Sequence, residues 1–476
     1  MSPRSLSLVV AALLPALAGA DTITTIPDAA VKQAIALRDQ ALADDTAYTL
    51  LESLTTEIGP RLAGSPADAK AREWAIAKFK ALGFDKVWTE PVTYPKWVRR
   101  SESASMVAPF EHKLAITALG YSTATPKGGL TAPVVHFDSL DALKAAKAAD
   151  VKGKIVFVSA RMQAHRDGHD YGIGSGVRSR GPAIAAELGA AAFVLRSAGT
   201  DNNRLPHTGV TQWKEGGKRI PAAAVSAPDA DIIDAAVKRG QTVTLRLALD
   251  CGVEGDYTGA NVIGEITGRE KPDEVVVMGG HLDSWDLGTG AIDDGAGVAI
   301  GMATGALIGK LPTPPKRTIR VVAFANEEAG LWGGKAYAEA HKTDVAKHQL
   351  GSESDFGSDR IWRLNATVKP ESLPAIDRMM QVLAPLGVER GDGRGNGGPD
   401  LSPIHAEGMA ALSLTNDGTR YFDYHHTAND TLDKVDPKQL AQNVAVYISW
   451  SYLAAEADGD FGSAPGAFKQ GGDDEH

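Results

Sequence analysis

The spacing of apolar positions changes along the chain, and each change marks a different kind of element. Residues 6–17 form an apolar run at the amino end. After a polar lead-in, Ala71, Ala75, Phe79 and Leu82 recur at helical spacing behind Ser65-Pro66 and ahead of Gly83. That arrangement predicts a helix with a serine cap, a first-turn proline and a terminating glycine, followed by a strand near 86–90. Between about 123 and 252 the pattern turns into short β-rich runs at 134–137, 154–158, 191–195 and 242–249. One alanine-rich helix around 182–188 and Gly/Arg-rich loops interrupt them. A smaller β-rich module inserted into another fold is expected. From 261 onward strands at 274–278, 318–325 and 411–414 alternate with helices at 296–310, 334–341 and after Asp436-Pro437. Such alternation predicts an α/β fold, a mostly parallel twisted sheet flanked by helices. The tail from 462 to 476 is rich in Gly and Asp and is expected to fray.

Arg4 ahead of the amino-terminal apolar run and Ala18-Gly19-Ala20 behind it form the layout of a secretory signal cleaved after Ala20, which predicts a periplasmic or secreted protein. No later stretch reaches the ~18 uninterrupted apolar residues of a spanning helix, so no membrane span is expected. The divisions expected are a signal peptide at 1–20, the amino-terminal part of the main domain at 21–122, the insert at 123–252, the remainder of the main domain at 253–460 and a flexible tail at 461–476. Cys251 is the only thiol in 476 residues, which excludes an intramolecular disulfide and leaves stability to packing or bound metal. Fifty-nine acidic against forty-nine basic residues give a net charge of -10, the wrong sign for nucleic acid.

The candidate chemistry lies just past predicted strand ends. The first apolar strand leads through Gly279-Gly280 to His281-Leu282-Asp283-Ser284, and the second ends in Asn326-Glu327-Glu328. Asp293-Asp294-Gly295 opens a helix between them, Glu353-Ser354-Asp355 follows, and Tyr424-His425-His426-Thr427 lies in an aromatic loop. Groups beyond the carboxyl ends of parallel strands share one crevice, so these segments are able to meet. Imidazoles and carboxylates without cysteine suit zinc, with manganese or cobalt as alternatives. A carboxylate bridging two ions ~3.5–4 Å apart lets both share a hydroxide nucleophile, and Asp293 has the short reach for it. Adjacent glutamates point to opposite sides, so one is free to ligate and the other to act as general base. Each piece alone has a structural explanation, as a helix start, a turn or a hydrogen-bonded pair; their common place at strand ends argues for chemistry.

Together, Gly280-His281-Leu282-Asp283-Ser284-Trp285-Asp286-Leu287-Gly288, Gly290-Ala291-Ile292-Asp293-Asp294-Gly295, Asn326-Glu327-Glu328, Glu353-Ser354-Asp355 and His425-His426 resemble the zinc exopeptidases of peptidase family M28. Ile58-Gly59-Pro60-Arg61-Leu62-Ala63-Gly64-Ser65 is similar to the family's amino-terminal signature. Arg178-Ser179-Arg180-Gly181-Pro182, Gly189-Ala190-Ala191, Pro206-His207-Thr208-Gly209 and Ile220-Pro221-Ala222 resemble its inserted protease-associated domain. The likeness covers nearly all of residues 45–455. It implies a zinc-exopeptidase type of fold, two Zn2+ per chain and a dipeptide or short-peptide substrate, and it makes 253–460 a di-zinc peptidase domain. Position by position, it implies that His281, Asp293 and Asp355 hold one zinc and that Asp293 bridges to a second held by Glu328 and His426. Glu327 is then the general base, Asp283 orients His281, His425 contacts substrate, and the Asp293–Asp294 peptide is cis.

Two other readings stay open. A broader-specificity aminopeptidase of the family uses the same residue types, which do not distinguish a free amine from a free carboxylate. A non-catalytic receptor-like binding protein should lack ligands, and none is missing. A glutaminyl cyclase on a related fold would use one zinc and lack the insert. Arg178, Arg180 and His207 would meet a substrate carboxylate if the insert folds over the cleft. His165-Arg166-Asp167-Gly168-His169-Asp170 reads as a polar loop, and the glycines at 172, 174, 176 and at 391, 393, 395 lack the strand-turn-helix setting of a nucleotide site. A homodimer is a further expectation on which the residue pattern is silent.

Overall fold

A computed structural model describes residues 23–468; the expected signal segment and residues 469–476 of the tail lie outside the described residues. Four neighbouring strands, Ala411–Asn416, His348–Glu353, Lys271–His281 and Arg317–Phe324, run parallel in that order. Their carboxyl ends therefore lie along one edge. Antiparallel strands flank them, Ile361–Thr367 on one side and Thr244–Ile266 on the other, within a fourteen-stranded mixed sheet.

Side chains alternate between the faces of these strands and feed two cores. Val276, Met278, Val321 and Ala323 pack with helices Asp28–Ala41, Thr46–Ser53, Ala296–Gly309 and Pro437–Glu456. Val277, Val322 and Phe324 pack on the opposite face with Tyr337 of helix Trp332–His341 and Ile404 of helix Ser402–Glu407. The apolar stretch 291–309 is long enough to cross a membrane, yet residues 291–308 are buried here and it is a core helix.

The strand expected near 86–90 extends from Lys86 to Ala108 and pairs along its length with Thr244–Ile266. The strand contains Pro91 and Pro95. They fit because the other edge of this strand is unpaired at that point, where no amide is needed. Thr244–Ile266 joins Arg317–Phe324 at one end and Leu130–Phe137 at the other, so one continuous ribbon carries the insert. Within the insert, Leu130–Phe137, Ile155–Val158, Ala192–Arg196 and Ala222–Val225 form a parallel run. Its helix is longer than the spacing predicts, Tyr171–Glu187, and some of its glycines are contact positions: a Cβ at Gly174 would lie 2.8 Å from that of Ala198. A Cβ at Gly181 would lie 2.6 Å from the Phe193 ring.

The expectation of a frayed tail fails for 461–468. Phe461 is fully buried, and the amides of Ala464 and Gly466 donate to the carbonyls of Gly408 and Glu407. Two phenylalanines, Phe461 and Phe468, anchor a segment whose composition is otherwise that of a linker.

His348, at the start of the strand that leads to Asp355, sits in a hydrogen-bond chain that requires its neutral form. Arg320 donates to Tyr337 Oη at 2.9 Å, Tyr337 Oη donates to His348 Nε2 at 2.8 Å, and His348 Nδ1 donates to the Asp344 carbonyl at 3.3 Å. Burial, and then the charge of Arg320, lower its pKa from 6.5 to about 3. Between those values the unfolded chain binds the extra proton, so stability is complete above about 6.5 and falls as pH drops toward 3. His348→Gln is expected to flatten the acid limb of a denaturation-versus-pH series; an unchanged limb would count against this chain.

Candidate active site

The four parallel strand ends deliver the predicted residues to one place. His281 is the last residue of its strand, Glu327 and Glu328 follow Arg317–Phe324, Asp355 follows His348–Glu353, and His425 and His426 follow the short helix Tyr421–Tyr424 beyond Ala411–Asn416. Asp293 lies at the start of the buried core helix, and its peptide bond to Asp294 is cis, as the resemblance implies. The approach of helix to strand is close: a Cβ at Gly297 would fall 1.9 Å from the Ser354 carbonyl oxygen. Asp294 accepts the amides of His281 and Gly297, both at 3.0 Å, and so ties strand end to helix start.

The two oxygens of Asp293 face different partners. Oδ1 lies 3.1 Å from His281 Nε2, which is 3.6 Å from Asp355 Oδ1. Oδ2 lies 3.2 Å from His426 Nε2, which is 2.9 Å from Glu328 Oε2. His425 reaches the same oxygen at 3.5 Å, because a left-handed backbone at His426 (φ 62) stacks the two rings with centroids 3.5 Å apart. His281, Asp293 and Asp355 form one group of convergent ligand atoms, and Asp293, His425 and His426 another.

The donor set fits a cation. Asp293 Oδ2, Glu328 Oε1 and Asp355 Oδ1 are buried without a hydrogen-bond partner, an arrangement that is costly unless a positive charge meets it. Burial raises Glu328 and Asp355 above the ordinary carboxylate range, with repulsion from Asp293 adding to it. Burial also holds Glu327 well above that range, reinforced by Asp355 and Asp400 and opposed by His281.

Residues 261–451 match peptidase family M28 and residues 130–233 match the PA domain. Carboxypeptidase Q of Mus musculus is 34% identical over 411 residues, 86% of this chain and 86% of that protein. The chain belongs to peptidase family M28. A crystal structure of a peptidase M28 precursor from Shewanella amazonensis SB2B, 48% identical, aligns with a TM-score of 0.90 over 92% of this chain and 99% of that one. BSAP, a zinc aminopeptidase from Bacillus subtilis, shares the fold at 20% identity and a TM-score of 0.62, over 86% of this chain and 93% of its own. The protein is therefore an M28 metallo-exopeptidase with a PA domain inserted in its peptidase domain.

The geometry of this crevice depends on residues to which the sequence motifs assign no role. Arg61 is fully buried, and its guanidinium donates to the carbonyls of Leu282, Thr289 and Gly290, holding the loop between His281 and Asp293. A lone cation among Gly59, Pro60, Leu62 and Gly64 was the available signal. Asp430 Oδ1 accepts the amides of Ala291 and Ile292, both at 2.8 Å, and fixes the approach to Asp293. Asp283 acts differently from expectation. Its backbone carbonyl takes the His281 Nδ1 proton at 3.0 Å, while its carboxylate lies 3.7 Å from that nitrogen and accepts the Glu327 amide at 3.1 Å.

The PA insert closes the cleft. A cavity of about 410 Å³ is lined by Tyr171 and Arg178 from the insert and by Asp293, Glu327, Glu328 and His426 from the peptidase part. The Thr208 carbonyl accepts from His426 Nδ1 at 3.2 Å, and His207 Nδ1 donates to the His425 carbonyl at 2.7 Å. Of the three insert residues considered for substrate contact, only Arg178 reaches the cavity. Arg180 is exposed outside it, and His207 is spent on the 425–426 loop.

Proposed function

We propose that this M28 enzyme is a di-zinc exopeptidase that hydrolyses dipeptides or other short peptides. His281 and Asp355 would hold one zinc, Glu328 and His426 the other, with Asp293 shared. The carrying observation is that the two oxygens of Asp293 face two separate imidazoles. Ring orientation supports the choice of His426 over His425. His281 Nδ1 gives its proton to a backbone carbonyl, and His426 Nδ1 lies 3.2 Å from the Thr208 carbonyl and 3.3 Å from Arg178 Nη1, so each ring turns Nε2 toward Asp293, whereas His425 Nδ1 has no partner. His425 is thereby left for the substrate.

Zinc held there would supply Lewis acidity toward the scissile carbonyl and would ease loss of a proton from the attacking water. Glu327 takes the proton of that water and returns it to the leaving amine nitrogen. Arg178, buried with Nε unpartnered on the cavity wall, receives the carboxylate of the substrate. The cavity volume suits a dipeptide or short peptide end. Export after cleavage behind Ala20 belongs to the same reading.

Short peptides blocked at either end, assayed for products with and without chelator, test it. Loss of cleavage on either block is expected for a dipeptidase, and chelator should abolish turnover. Loss on amino-terminal blocking alone would assign the broader aminopeptidase instead, and chelator-resistant cleavage would end the metal reading.

A further inference from the structure

The loop 165–170 is more than a polar connection. His165 and His169 stack with ring centroids 3.7 Å apart, and both reach Asp170: Oδ2 lies 3.5 Å from His165 Nε2, and Oδ1 lies 3.7 Å from His169 Nε2. One ligand atom from each of the three residues lies within 4.8 Å of the others. We propose that His165, His169 and Asp170 form a separate zinc site on the rim of the cleft.

Three features of the loop prepare these atoms for a cation. Asp167 Oδ1 accepts from His169 Nδ1 at 2.7 Å, which fixes the tautomer that leaves the Nε2 lone pair free, the role an outer carboxylate plays behind a metal-bound imidazole. Asp170 Oδ2 accepts the Gln163 amide at 2.9 Å, so the carboxylate is aimed before any ion arrives. The turn itself is braced. The amide of Gly168 donates to the His165 carbonyl at 3.1 Å, that of Tyr171 to the Gly168 carbonyl at 2.9 Å, and a Cβ at Gly168 would lie 2.7 Å from Phe356 and 2.8 Å from Phe422. Two neutral imidazoles and a carboxylate are a zinc donor set, and the exposure of His169 leaves the remaining positions to water. Phe356, Phe422 and Tyr171 also line the catalytic cavity, so an ion here would sit against the outer side of its wall.

Calorimetric titration of the full chain with Zn2+, after removal of loosely held metal by gel filtration, tests the site. One further equivalent is expected in the wild type and none in the double variant His165→Ala/His169→Ala. Asp167→Ala, which keeps all three ligands, should bind that equivalent about 10–100-fold more weakly. Zinc-soaked crystals should show an anomalous peak between the two Nε2 atoms and Asp170. Superimposable isotherms for the wild type and the double variant would overturn the proposal, as would an anomalous map empty at this position. The catalytic ligands are identical in every chain compared, so the difference reads the rim site whatever number of ions the catalytic set retains.

Discussion

Glu327→Gln is expected to leave metal content near that of the wild type while kcat falls by about 10²–10⁴-fold, the usual worth of a positioned general base. Glu327 is partly buried on the cavity wall, its amide held by Asp283. Glutamine keeps the volume and the hydrogen-bonding length but is unable to carry the proton from water to the leaving amine. Metal analysis and steady-state kinetics on the same preparation separate the two roles. Lost metal would make Glu327 a ligand, and near-normal turnover would remove it from the proton path. KM should change little, because the side chain is asked to act on the attacking water and not on the substrate's ends.

The site was more legible in the sequence than its support, for a physical reason. Parallel strands buried on both faces read as continuous apolar runs, so 274–278 and 318–325 stood out, and the residues behind them had to emerge at one edge. That places His281, Glu327 and Glu328 at one edge, whereas Asp355 and His426 enter through the family resemblance, since the strand His348–Glu353 ahead of Asp355 is not legible as one. The ribbon 86–108 was hidden because its prolines look like breakers and its polar residues interrupt the alternation. Helix Asp28–Ala41 passed as polar lead-in because its buried stripe of Ala30, Ala34, Leu37 and Ala41 is nearly all alanine. Thr208 and Asp283 orient the two imidazoles through backbone carbonyls, which no side-chain identity reports. Arg61 lay inside a quoted motif, but its three carbonyl partners are more than two hundred residues away in sequence. The loop 165–170 reads only as polar, and the folded chain alone shows its two rings stacked on each other beside one carboxylate.

Asp293→Ala is expected to cost more than any other single change, because the residue serves both halves of the ligand set. Its removal takes Oδ1 from the His281–Asp355 side and Oδ2 from the His426–Glu328 side together. Zinc retained per chain after dialysis should fall below that of any variant that loses an unshared ligand, and turnover should fall to background. Asp293→Asn makes the sharper comparison. An amide offers one oxygen acceptor and turns the other position into a donor, so it is able to serve one side but not both. The asparagine variant should therefore hold about half the zinc of the wild type, and the alanine variant less. Equal losses from the two substitutions would mean that only one oxygen of Asp293 matters. Undiminished zinc in Asp293→Ala would mean that neither does, and the shared carboxylate would then be a buried partner of His281 and His426 without a part in holding metal.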